Sequence, residues 1–136
     1  MVARLNPYIN FRGEAKEALE FYRGVLGGEV EVMTFGQYGM EGPLADQVMH
    51  GQLETPAGMT LMAADTPPDV EVTPGTVITI CLSGEETELL RGYWEKLSDG
   101  ATVHTPLAKQ MWGDEYGQLT DRFGISWMVN IGAPRE

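Results

Sequence analysis

Two histidines, a single cysteine and scattered carboxylates and amides are what this chain offers for chemistry. His50 lies in VMHGQLE, close to Glu54. There an imidazole serves as a general base or polar anchor at a pocket edge, or is an ordinary strand histidine held by a neighbour. His104, in VHTPL, sits elsewhere in the chain's pattern and forms no obvious pair with it. Cys81 has no nearby base in sequence to make it a thiolate, which argues against a nucleophile. No Cys/His cluster suits a structural zinc, and no Ser-His-Asp set, phosphate loop or paired-carboxylate motif occurs. The stretch KQMWGDEYG groups Trp112, Asp114, Glu115 and Tyr116. On a loop, these rings would stack on a flat ligand while the acids orient a cationic or hydroxylated group. The alternative is that Trp112 packs the loop down or lies in a subunit interface. Asp121 in TDRFG reads as a turn former, and Asp65 as a cap on the turn into the prolines that follow.

The elements that must position these residues are written twice. GQLETPAGMTLM, residues 51–62, returns 66 positions later as GQLTDRFGISWM, residues 117–128. Gly51, Gln52, Leu53, Gly58 and Met62 recur as Gly117, Gln118, Leu119, Gly124 and Met128. Upstream, Gly13, Leu19, Tyr22 and Leu26 recur as Gly84, Leu90, Tyr93 and Leu97 at an offset of 71. A fixed self-similarity of this kind marks a tandem supersecondary unit. Residues 5–11 alternate apolar and polar, the period of a strand. Residues 14–26 carry apolar positions at helical spacing and stop at Gly27-Gly28. A strand over 28–36, a loop over 36–46 and a hairpin over 47–65 complete the first unit. The second repeats the order: strand 76–84, helix 85–97, a short strand 101–107, a loop or partial strand 108–117, and a hairpin over 117–131. The class is α+β, one domain over 1–136, built from βαβββ modules 1–65 and 76–132 with a Pro-rich linker 66–75.

Paired βαβββ modules resemble the vicinal oxygen chelate superfamily, which includes glyoxalase I, bleomycin-resistance proteins and extradiol dioxygenases. LNPYINFRGEAKEALEFYRGVLGGE, MHGQL, LMAAD before the prolines and WGDEYGQLTDRFGISWMVNI narrow it: together they resemble the PhnB-like branch. Some members of that branch carry a ubiquinone-pathway methyltransferase label, but no Gly-rich strand-to-helix cofactor loop supports it here. The resemblance implies a partial barrel in which each sheet's concave face holds a ligand and a helix covers the convex face. Alternation then places Asn6, Tyr8 and Asn10 on the concave side, with Val77, Thr79 and Cys81 as their counterparts. Ser126, Met128 and Asn130 join them, with Thr60, Met62 and Ala64 as theirs.

Metal-dependent relatives hold a divalent ion with His, Gln or Glu from the first and last strands of each module. The final-strand positions here match Met62 and Met128, and a thioether is a poor ligand for hard or borderline ions. The resemblance therefore implies no usual metal site and no cofactor, and a divalent metal only at unorthodox ligands such as His50. The methionines suit an apolar pocket floor, or the core. The expected function is binding of a small organic molecule, aromatic or cationic, by Tyr8, Asn10, Met62, Thr79, Trp112, Tyr116, Met128 and Asn130. The alternative is a metal-dependent lyase, isomerase or dioxygenase-like enzyme with non-standard ligands. A homodimer is also implied.

The formal charge of −11 disfavours nucleic acid and anionic membranes, and fits solubility or steering of a cation. No apolar run is long enough to span a membrane, and residues 1–10 lack an apolar signal core. With one cysteine, this predicts a cytoplasmic protein.

Overall fold

Each copy of the repeated sequence folds into the same unit. The structure is a computed structural model describing residues 5–67, 71–73, 75 and 78–132. The chain divides into two compact units between Thr73 and Pro74. The first holds β1 (Tyr8–Phe11), α1 (Ala15–Leu26), β2 (Glu29–Thr34), a 3-10 turn (Gly36–Tyr38), β3 (Val48–Glu54) and β4 (Thr60–Asp65). The second holds β5 (Ile80–Gly84), α2 (Thr87–Leu97), β6 (Thr102–Lys109), β7 (Glu115–Thr120) and β8 (Ser126–Ile131). The sheets run β1-β4-β3-β2 and β5-β8-β7-β6. In each, the first strand lies parallel to the last, and the other neighbours are antiparallel. Among the described residues, no helix is long and apolar enough to cross a membrane.

Both helices pack through the residues that repeat. Leu19, Tyr22 and Leu26 of α1 are buried, and so are their counterparts Leu90, Tyr93 and Leu97 of α2. Beneath each helix the middle strand carries a glycine. A Cβ on Gly51 would fall 2.4 Å from Leu19 Cδ1, and one on Gly117 would fall 2.7 Å from Trp94 Cη2. The repeated Gly-Gln-Leu is thus a helix-docking device: glycine lets the helix approach, and the leucine two places on is fully buried.

The repeated turns share their hydrogen bonds as well. Gly58 N–H donates to Thr55 O, and Gly124 N–H to Asp121 O, both at 3.0 Å. Met59 N–H donates to Thr55 Oγ1, and Ile125 N–H to Asp121 Oδ1, again both at 3.0 Å. Gly58 and Gly124 each adopt φ of 84°, a conformation that a Cβ disfavours. Asp121 does more than Thr55: it also accepts Phe123 N–H at 2.8 Å and Trp127 Nε1–H at 2.8 Å.

Asp65 departs from expectation. It does not cap the turn into the prolines; its buried carboxylate accepts Ala15 N–H at 3.0 Å and Val48 N–H at 2.9 Å. Glu14 gives α1 no side-chain cap, so the last strand of the module supplies one from across the fold. Asp65→Ala is expected to destabilise the protein by about 2 kcal/mol in urea unfolding, since it strands two amide donors that Asp65 now satisfies.

Boundaries also shift. β1 is shorter than residues 5–11, although Pro7 O still accepts Met62 N–H at 3.0 Å. The segment 108–117 resolves into a long hairpin. β6 runs on to Lys109, β7 begins at Glu115, and the turn closes through Gln110 N–H to Asp114 O at 2.8 Å. Glu115 and Tyr116 are therefore strand residues, fixed by the ladder to β8, and do not form a loop free to close over a ligand. The start of the strand expected from residue 76, including Val77, lies outside the described residues, as do 68–70 and 74 of the linker.

Candidate functional site

Register assigns every strand residue to a face. Gly51 pairs with Ala63 and meets α1, so that row faces the helix. Gly117 pairs with Val129 and meets α2 in the same way. Side chains alternate, so Met62 and Met128 lie on the opposite, helix-free faces. Burial agrees in β8: Trp127, Val129 and Ile131 are buried, whereas Ser126, Met128 and Asn130 are half-buried.

On the first module's helix-free face, one row runs Tyr8, Met62, Gln52 and Glu31. Asn10 pairs with Ala64, and His50 with Met33. Tyr8 crosses to His50, with Oη 3.4 Å from Nδ1 and ring centroids 5.8 Å apart. His50 is thus a half-buried strand histidine with a phenol neighbour. Gln52 Nε2 donates to Glu54 Oε1, and Glu54 Oε2 accepts from Thr60 Oγ1 at 2.7 Å.

The second module repeats the geometry with different chemistry. Met128 lies between Cys81 and Gln118, and Asn130 between Ser83 and Tyr116. Thr79 Oγ1 and Ser126 Oγ hydrogen-bond at 2.9 Å. Tyr116 Oη donates to Gln118 Oε1 at 3.4 Å, and Asn130 Nδ2 donates to Asp114 Oδ2 at 3.1 Å. His104 occupies a bulge between Val103 and Thr105, and its Nε2 lies 2.8 Å from Thr120 Oγ1. Arg91 clamps the start of β7 with a two-point contact to Glu115, Nε to Oε1 at 3.1 Å and Nη2 to Oε2 at 2.7 Å. That hydrogen bond, followed by the Glu115 charge, raises the guanidinium above its already high pKa.

The expected residues therefore separate into two sets. Tyr8, Asn10 and Met62 share the first module's helix-free face; Thr79, Tyr116, Met128 and Asn130 share the second's. Trp112 stands at the β6–β7 hairpin tip, 61% exposed beside Met111 at 98%. Gln52 and Gln118 escaped the sequence reading as face residues. The signal was present: in Gly-Gln-Leu the glutamine alternates with two helix-facing positions. Among the described residues, no three His, Cys, Asp or Glu side chains converge as a metal-binding group. A cleft beside α1 is lined by Lys16, Glu17, Asp46, Gln47 and Val48, and its buried carboxylate, Asp65, already serves the α1 cap.

Residues 3–130 match the family described as 3-demethylubiquinone-9 3-methyltransferase. Among solved structures, protein PA1353 from Pseudomonas aeruginosa shares 30% identity over 98% of this chain and 100% of its own, with a TM-score of 0.86. The PhnB protein from Bacillus cereus shares 22% over 96% of this chain and 100% of its own, with a TM-score of 0.73. A glyoxalase/bleomycin resistance protein/dioxygenase family enzyme from Burkholderia phytofirmans PsJN shares 13% over 93% of this chain and 95% of its own, with a TM-score of 0.63.

Proposed function

Because the chain belongs to the family described as 3-demethylubiquinone-9 3-methyltransferase, a PhnB-like member of the glyoxalase/bleomycin resistance/dioxygenase superfamily, we propose that it binds a small organic molecule on its helix-free sheet faces, without that superfamily's usual metal site. The observation that carries this reading is the placement of Met62 and Met128. Both stand at the same register position of their module's last strand, helix-free and half-buried. In each module, a polarizable, flexible side chain there offers a floor that adapts to a flat ligand. On the face of Met62 stand Tyr8 and Asn10, and on that of Met128 stand Thr79, Tyr116 and Asn130, to orient a ligand's polar atoms. Trp112, at the exposed hairpin tip, would add a stacking ring.

A thermal-shift and NMR screen of aromatic compounds tests this, since a ligand that prefers the native state raises the melting temperature. Met128→Ala is expected to weaken binding by at least about tenfold, or 1.4 kcal/mol, with the far-UV spectrum unchanged. Undiminished binding by Met62→Ala and Met128→Ala together would overturn the reading. So would stoichiometric nickel, zinc or iron that survives dialysis of protein purified without chelators. The same reading has the protein acting as a homodimer in the cytoplasm. Among the described residues the sheets end in β1 and β2 and in β5 and β6, edges open to a partner strand, and Cys81 is an exposed free thiol. Light scattering at micromolar concentration is expected to give twice the chain mass, and a monomer counts against the dimer.

A further inference from the structure

Two amides on the helix-free faces have their donor ends engaged by carboxylates: Gln52 by Glu54, and Asn130 by Asp114. An ionised carboxylate only accepts hydrogen bonds, so chemistry fixes the orientation of both amides. Each must turn its NH2 toward the acid, because the reverse would set oxygen lone pairs against each other. Gln52 Oε1 and Asn130 Oδ1 are left as acceptors with no protein donor among the described residues. Both side chains are half-buried, Gln52 opposite Met62 and Asn130 two residues beyond Met128. Donation to a carboxylate also polarises the amide and strengthens its carbonyl as an acceptor.

The surrounding charge points the same way. β1, β2, β3 and β4 contain no lysine or arginine. In the second sheet Lys109 is the sole lysine or arginine, and it pairs with Glu115 in the row of buried Ile131, off the helix-free face. The chain's formal charge of −11 adds a field that attracts cations.

Resting on the ligand-binding reading above, we propose that the ligand is a hydrogen-bond-donating aromatic cation of the amidinium or aryl-ammonium class. Its N–H groups meet Gln52 Oε1 or Asn130 Oδ1 while its ring lies against Met62 or Met128.

Calorimetry with the full chain tests this using benzamidine, phenyltrimethylammonium and benzoate. The first two carry the same charge on the same ring, and only benzamidine donates N–H hydrogen bonds. Benzamidine is expected to bind at least about tenfold more tightly than phenyltrimethylammonium. It should also shift the side-chain NH2 resonances of Gln52 or Asn130. Asn130→Leu or Gln52→Leu should bring the ratio toward one, and Asp114→Ala should do so for Asn130 by freeing its amide to rotate. Equal binding of phenyltrimethylammonium, stronger binding of benzoate, or a ratio unmoved by both leucine variants overturns the donor inference and leaves the ligand-binding reading standing. Failure of all three probes to bind overturns both.

Discussion

Asp121→Ala is expected to lower the free energy of unfolding by about 3–4 kcal/mol, while Thr55→Ala, at the matching position of the first repeat, costs about 1 kcal/mol. The two residues open the same turn, so the comparison isolates side-chain hydrogen bonding. Thr55 Oγ1 accepts one backbone N–H, from Met59. Asp121 is 4% exposed and accepts three donors: two backbone amides and the indole of Trp127, itself 1% exposed. Alanine leaves those donors unsatisfied in a space that water enters poorly, and hydrogen bonds to a charged acceptor are the stronger kind. Urea unfolding followed by tryptophan fluorescence gives both values. A loss below about 1.5 kcal/mol for Asp121→Ala would show that the indole bond contributes little.

Gly117→Ala is expected to cost about 3 kcal/mol, and Gly51→Ala about 1 kcal/mol. The repeat again supplies the control. A Cβ on Gly51 collides chiefly with the end of the Leu19 side chain, which can change rotamer. A Cβ on Gly117 meets Trp94 Cζ3 and the Leu107 backbone Cα, both at 2.9 Å, in addition to Trp94 Cη2. A rigid bicyclic ring and a main-chain atom cannot both step aside. Alanine at Gly117 therefore lifts α2 away from β7 or bends β6. Equal losses at the two sites would sink this account.

The fold was legible because the signals were local and duplicated. Leu19, Tyr22 and Leu26 alternate at the helical period, their counterparts do the same, and all are buried as that spacing requires. The faces were legible because one strand, β8, alternates cleanly between Trp127, Val129, Ile131 and Ser126, Met128, Asn130. Less visible were properties that depend on a distant partner. Asp65 sits in an apolar run before prolines, and nothing local reveals that Ala15, 50 residues away, needs its carboxylate. Gly113 and Trp112 suggest a loop. The hairpin is long because β8 offers Tyr116 and Glu115 ladder partners, Asn130 and Ile131, which flanking sequence does not advertise. The carboxylate locks on Gln52 and Asn130 are likewise tertiary. Asp114 and Asn130 are 16 positions apart and meet only when the second hairpin forms.

The parallel pairing of first and last strands has a consequence for biosynthesis. In the amino-terminal module, Tyr8 must wait for Met62 before its ladder can close. A ribosome therefore extrudes an open, three-quarters-built sheet until its terminal strand clears the exit tunnel. Such late, non-local closure is slow, and it leaves β1 and β3 without the strand that lies between them. That ladder, closed by Thr66 N–H donating to Phe11 O at 2.7 Å, uses nothing from the second module, so the nascent chain can seal its first half while the second is still being translated.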